Sequence, residues 1–192
     1  MLKDFYIRIG KRLMDVSLAF FSVVILSWLL LLIILAIRLT SPGPVVFKQS
    51  RVGLWGNLFT IYKFRSMPLG TGDISSDQLG TVQIDKVGKF IRRTNLDELP
   101  QLFNILKGDM SLVGPRPPLP SQNQLIDLRR NSGALSYRPG LTGLAQVNGF
   151  DGMSVAEKAA FDTNYVNEVS FMNDMAIILR TFIYVSKPPP TY

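Results

Sequence analysis

At 192 residues with no histidine and no cysteine, the chain has room for one domain with a substantial core plus an accessory segment, and it lacks both thiolate chemistry and the commonest general base and transition-metal ligand. Any catalysis must use carboxylates, hydroxyls, lysine, arginine or a hard cation held by oxygen. A net charge of +7 calls for an anionic partner: nucleic acid, a phospholipid surface or a phosphorylated substrate.

Residues 16–37, VSLAFFSVVILSWLLLLIILAI, carry no charge and as helix are long enough to cross roughly 30 Å of hydrocarbon. The run exceeds the apolar core of a cleaved signal peptide, about 7 to 15 residues, and no small-x-small cleavage site follows it. Lys3, Arg8, Lys11 and Arg12 precede the run, and Arg38, Lys48, Arg51, Lys63 and Arg65 follow it, so the positive-inside tendency draws both ends to the cytoplasmic face. A helix that enters one leaflet, bends and leaves by the same face satisfies both flanks. An ordinary anchor with basic residues on both sides is the simpler alternative. Ser27, near the middle, could bend the helix by bonding back to a carbonyl one turn earlier. The SPGP stretch at residues 41–44 then divides a membrane segment, 1–42, from a catalytic-size unit, 43–192.

VVFKQSRVG and LFTIYKFRSM predict two short strands joined through residues 53–57 as a hairpin. Alternation puts Phe59, Ile61, Lys63 and Arg65 on one face, where two cations suit either an anion or solvent. Residues 67–81 are polar and rich in Gly and Ser, and predict a loop. Leu99, Leu102, Phe103 and Leu106 fall at i, i+3, i+4 and i+7, predicting a short helix closed by Gly108 with Pro100 in its first turn. Asp97 and Glu98 would then stand at its N-terminus. There the backbone N–H groups, with Arg92, Arg93 and Arg116 nearby, would keep Asp97 ionised at neutral pH. Such an aspartate can bind a divalent cation, attack phosphorus, or do both in turn. Alternatively Asn95 is a helix N-cap and Glu98 its capping-box partner.

GDMSLVGPRP and YRPGLTGLAQVNG combine Gly, Pro and Arg, which present backbone N–H groups and a fixed guanidinium to phosphate oxygens, or simply make turns. Arg116 and Arg138 are the candidate phosphate clamps. Residues 125–130 are a short amphipathic piece, and residues 155–169 and 171–186 predict two further helices, the last apolar enough for core burial or for packing on a membrane surface. The KPPPTY tail reads as extended. The chain has no P-loop and no GxGxxG, and its scattered basic residues come with no nucleic-acid recognition motif, so nucleic acid is not an expected partner.

An apolar N-terminal helix followed in order by FKQSRVGLWGNLFTIYKFRSM, GKFIRRTNLDELPQLFNILKGDMSLVGPRP and YRPGLTGLAQVNG resembles the small monotopic bacterial phosphoglycosyl transferases, from about residue 11 to residue 186. The resemblance implies an α+β fold, with an N-terminal re-entrant membrane helix, a mainly helical catalytic domain, a small β-hairpin and interfacial amphipathic helices. It implies transfer of a sugar phosphate from a UDP-sugar to undecaprenyl phosphate with release of UMP and a need for Mg²⁺. Asp97 maps to the nucleophile that carries a covalent sugar phosphate, with the metal beside it, and Glu98 to the second member of the pair. Lys63, Arg92 and Arg116 map to cations lining the site. The implied setting is the cytoplasmic face of a bacterial inner membrane among phospholipids, with a homodimer compatible. Two departures stand out: Ser27-Trp28 where the family usually has Ser-Pro, and Phe150-Asp151 where an arginine is common. A catalytically silent membrane scaffold for glycan-assembly enzymes is the alternative, and the joint presence of Lys63, Arg92, Asp97, Glu98 and Arg116 argues against it.

Overall fold

The structure, a computed structural model, describes residues 5–68, 70, 84–149 and 152–186. Most of the loop expected at 67–81, the Phe150-Asp151 pair and the KPPPTY tail lie outside the described residues.

One π-helical turn, Tyr6–Gly10, runs into α1, Lys11–Ile25, and after a break at Leu26 the chain continues as α2, Ser27–Thr40. No single described helix is long and apolar enough to cross a membrane, but Tyr6–Ile25 and Ser27–Thr40 together have the length and composition, bent by 62°. The break needs no proline. Leu26 leaves helical geometry at φ −90° and ψ 5°, and α2 restarts its own ladder with Leu30 N–H on Leu26 O at 2.9 Å. The back-bond expected from the Ser27 hydroxyl is not among the hydrogen bonds of the described residues, so the bend lies in the Leu26 backbone and not in that side chain.

β1, Val46–Val52, and β2, Leu58–Phe64, form the expected antiparallel hairpin, with Val46 opposite Phe64 and Val52 opposite Leu58. Arg65, just past β2, departs from the anion-facing role read from alternation. Its Nη1 and Nη2 donate to the carbonyls of Pro42 at 2.9 Å and Ser41 at 2.6 Å, because the end of α2 leaves carbonyls without intrahelical donors.

α3, Lys86–Arg93, adds to the predicted elements, with Val87, Phe90 and Ile91 at i, i+3 and i+4; Asp85 caps it by accepting the Gly88 N–H at 2.5 Å. A 3₁₀ turn, Leu96–Glu98, leads into α4, Gln101–Lys107, which ends as expected at Gly108 with φ 101°. Pro100 sits just before α4 and not within its first turn. The buried face of α4 also differs from the leucine stripe: Gln101, Leu102, Asn104 and Ile105 point inward, while Phe103 is 48 % exposed. Asn104 is the reason. Its Oδ1 accepts the Tyr62 N–H at 3.0 Å and its Nδ2 donates to Thr60 O at 2.7 Å, so one carboxamide takes the place of a neighbouring strand against β2.

β3, Ser111–Val113, α5, Asn123–Asn131, and β4, Gly140–Thr142, form a small β–α–β unit in which the two strands pair in parallel. The sequence reads only as turns there, because three-residue strands show no alternation. Gly114, Gly140 and Gly143 lie where the two segments touch, and a Cβ on any of them would meet the facing backbone. α6, Val155–Asn167, opens with a capping box between Ser154 and Glu157, and α7, Phe171–Ser186, follows.

These elements make an α+β fold around three main apolar clusters. Val113, Tyr165, Val166, Val169 and Ile177 centre one, Ala19, Ile61, Leu102, Ile105 and Met110 a second. The third joins Leu30, Ile33 and Ile37 of α2 to Val45, Phe64 and Ile91, so the N-terminal helices share the domain's core. Polar contacts lock them in place. Arg12 donates to the α4 carbonyls of Ile105 at 2.6 Å and Leu106 at 3.0 Å, and Lys11 Nζ lies 2.6 Å from the fully buried Asp174. Hydroxyls of Tyr6 and Tyr165 also donate to Asp174, at 2.6 and 2.9 Å. The outer faces of α1 and α2 remain apolar and exposed at Phe21, Ile25, Trp28, Leu31 and Leu35, as does α7 at Met172, Leu179 and Phe182.

Candidate active site

The turn that carries Asp97 and Glu98 begins at Asn95 in the left-handed region, φ 55°, with no side-chain cap. This overturns the capping-box reading. Glu98 does not fold back on Asn95; its Oε1 accepts from Lys63 Nζ at 2.7 Å and from Arg116 Nη2 at 2.9 Å.

Three segments distant in sequence make this cluster, and each is fixed by backbone bonds. Lys63 projects from β2, which Asn104 ties to α4. Glu98 ends the 3₁₀ turn, with only Leu99 and Pro100 between it and α4. Arg116 leaves the end of β3 on the Gly-Pro-Arg-Pro turn, which Gly140 N–H holds at Pro115 O, 2.9 Å, and Val52 N–H at Pro118 O, 3.0 Å. The Arg116 carbonyl receives a further bond from Arg129 Nη1 at 2.7 Å, and Arg129, itself 1 % exposed, is fixed by Asp162 Oδ2 at 2.7 Å from Nε. Burial pushes the Asp162 carboxyl up while Arg129 pulls it back.

Asp97 is the contrast. It is 8 % exposed, and no hydrogen bond or ion pair to its carboxylate occurs among the described residues. Burial raises its pKa to about 6, with Lys63 opposing, the Glu98 charge adding, and Arg92 and Arg116 opposing. Glu98 moves the other way: burial would raise it, but Arg116 and Lys63 outweigh that and hold it well below the usual carboxylate range. The ionised state expected for Asp97 at neutral pH therefore holds by a narrow margin and against desolvation. Glu98 is the firmly charged member, and Asp97 is the poorly solvated one.

Arg92, in the last turn of α3, acts on Asp97 through its charge without a bond to it. Lys63, Arg92, Asp97, Glu98 and Arg116 are thus brought together. Arg138 is not. Its Nε donates to Gly108 O at 2.8 Å at the opposite end of α4, where Arg12 also binds. Beside the cluster a cleft opens between Lys63, Arg116, Arg51, Gln101, Ile61 and Pro117. Arg51 and Gln101 were not singled out from the sequence; the register of the hairpin could have pointed to Arg51, whereas Gln101 gave no signal because it interrupts an apolar stripe.

Among the described residues no group of three or more carboxylates gathers as a metal cage. A divalent cation here would have Asp97 as its carboxylate ligand and would rely on water and substrate phosphates for the rest of its shell, as Mg²⁺ commonly does, since the neighbouring Lys63, Arg92 and Arg116 offer it no donor.

A family model described as bacterial sugar transferase matches residues 6–188. A UDP-glucose:undecaprenyl-phosphate glucose-1-phosphate transferase of Caulobacter vibrioides is 41 % identical over 184 residues, covering 91 % of this chain and 69 % of that protein. A protein of the same name from Escherichia coli is 39 % identical, covering 91 % of this chain and 39 % of its own length. An undecaprenyl-phosphate galactose phosphotransferase of Salmonella typhimurium is 37 % identical, covering 91 % and 40 %. The chain therefore spans well under half the length of the last two relatives.

Proposed function

The chain belongs to the bacterial sugar transferase family, and on that footing we propose that it transfers a sugar 1-phosphate from a UDP-sugar to undecaprenyl phosphate. The single observation that carries the mechanism is the Asp97 carboxylate, buried, without a bonded partner among the described residues, and set in the charges of Lys63, Arg92 and Arg116. A carboxylate deprived of water and of donors keeps its nucleophilicity, and a cationic surround lets it approach an anionic phosphorus.

In the first step an Asp97 oxygen forms a bond to the phosphorus attached to the sugar. The bond from that phosphorus to the bridging oxygen breaks, and UMP leaves with the electron pair. The product on the protein is an acyl phosphate bearing the sugar. In the second step a phosphate oxygen of undecaprenyl phosphate attacks the same phosphorus and expels the Asp97 carboxylate. Lys63 and Arg116 hold phosphate oxygens in both steps, and Glu98 keeps these two cations in register. Asp97 would be the protein ligand of a bound Mg²⁺, which would supply neutralisation of phosphate charge.

The same reading places the chain on the cytoplasmic face of a bacterial inner membrane, with the bent pair Tyr6–Ile25 and Ser27–Thr40 re-entrant in one leaflet. The exposed apolar residues of α1, α2 and α7 support that seating, since large apolar areas facing water are rare in soluble proteins. The test is UMP release by the purified protein with UDP-glucose or UDP-galactose, undecaprenyl phosphate and Mg²⁺. Asp97→Asn should abolish release, and mass spectrometry of the wild-type protein with donor alone should find a sugar phosphate on Asp97. Full turnover by Asp97→Asn would overturn the mechanism.

A further inference from the structure

The cleft beside Lys63 and Arg116 contains a polar side chain that the mechanism above does not use. Gln101 lines it, is 2 % exposed, and its amide Nε2 is buried with no hydrogen-bond partner among the described residues. Buried amide groups are paired in the great majority of cases, because an unpaired one loses its water without replacement. Its neighbour on the same helix, Asn104, shows the usual outcome, with its carboxamide bonded to both Tyr62 and Thr60. Lys63 and Arg116 beside it share the Glu98 carboxylate, whereas the Gln101 amide nitrogen has no acceptor among the described residues.

Resting on the proposed reaction, we propose that Gln101 contacts substrate, its carboxamide turning on binding so that the amide nitrogen donates to a phosphate oxygen of the nucleotide-sugar diphosphate held between Lys63 and Arg116. Lys63 and Arg116, both held by Glu98, line the cleft together with Arg51, whose guanidinium bonds Gln49 Oε1 and the Pro117 carbonyl. A neutral donor adds direction there without adding charge, so the contact fixes how the diphosphate lies and leaves the cationic field unchanged. In the substrate-free protein the unpaired amide is a cost, and the donor removes it on binding.

This makes two measurements move in opposite senses. Gln101→Met keeps the length of the side chain and deletes the orphan, so the melting temperature of the substrate-free protein should stay level or rise. The KM for the UDP-sugar should rise about tenfold, with the KM for undecaprenyl phosphate unchanged. Gln101→Glu, which exchanges the donor for an acceptor, should raise the donor KM further. A lower melting temperature with an unaltered donor KM in Gln101→Met would assign Gln101 to packing alone and overturn the proposal. Should Gln101→Met not fold, Gln101→Glu decides by the same donor KM. UMP release by the wild-type protein separates the two readings: none overturns both, whereas normal wild-type release with unchanged donor KM in the variants overturns the Gln101 contact alone.

Discussion

Lys63 Nζ lies 2.7 Å from Glu98 Oε1, so the strand cation expected to serve the nucleophile is bonded to the neighbouring carboxylate. Arg116 meets the same oxygen at 2.9 Å. Glu98 thereby collects two positive charges on one atom and leaves Asp97 to feel them only through space. Under the proposed reaction the adjacent acids divide the work, Glu98 organising the cations and Asp97 serving as the nucleophile.

That division fixes the acid limb of the pH profile. Asp97 must be ionised to attack, and its pKa is raised to about 6, so kcat/KM should fall below roughly pH 6. In Glu98→Gln a negative charge that raises the Asp97 pKa is gone, and the limb should shift to lower pH while the maximum rate drops as Lys63 and Arg116 lose their anchor. A limb that moves upward in this variant would contradict the arrangement.

The same burial sets a cost in stability. The folded pKa of Asp97 lies above its unfolded value, so the protonated form is favoured by folding, and stability is lost as pH rises through the interval from about 4 to about 6. Asp97→Asn removes the titration. It should be more stable than the wild type at pH 7, by on the order of 1–3 kcal/mol, with the gap closing toward pH 4. Thermal denaturation in detergent across this range is the measurement, and a variant less stable at pH 7 would refute the sign.

Lys11 and Asp174 form a buried pair, and removing one partner strands the other. Lys11→Met should cost about 3–5 kcal/mol, at the lower end because Tyr6 and Tyr165 still donate to Asp174. Lys11→Met combined with Asp174→Leu should recover part of that loss. A double-mutant cycle with no coupling would show that the pair contributes nothing to docking the first helix.

Trp28 stands in the first turn of α2, where a backbone N–H has no intrahelical acceptor. Trp28→Pro should therefore fold and keep its activity, since the bend at Leu26 already exists. Proline placed one turn deeper, as in Leu31→Pro, should lower stability by about 3 kcal/mol or more. Circular dichroism and UMP release distinguish the two, and loss of both in Trp28→Pro would mean that the break depends on tryptophan.

Several elements are legible in local pattern alone. The hairpin follows from alternation around residues 53–57, the end of α4 from Gly108, and the last helix from a run of apolar residues. β3 and β4 are invisible there because their stability comes from pairing across α5 and from glycines that allow contact, not from any property of three residues in a row. Arginine is the least readable residue type. Arg12, Arg65 and Arg138 close helix ends and Arg129 props up the Arg116 carbonyl, yet each looks the same in sequence as a cation waiting for phosphate. The composition of the cluster at Glu98 can be read, but the preference of Lys63 and Arg116 for Glu98 over Asp97 depends on distances that only folding sets.

Arg12 grips the far end of the very helix whose near end follows Asp97 and Glu98. If the first forty residues lie in lipid as proposed, their immersion sets the height of the reactive carboxylate above the bilayer as a keel sets a hull's draught, through a rigid strut and not a tether. Cutting them away to obtain a water-soluble enzyme would remove the depth reference along with the anchor.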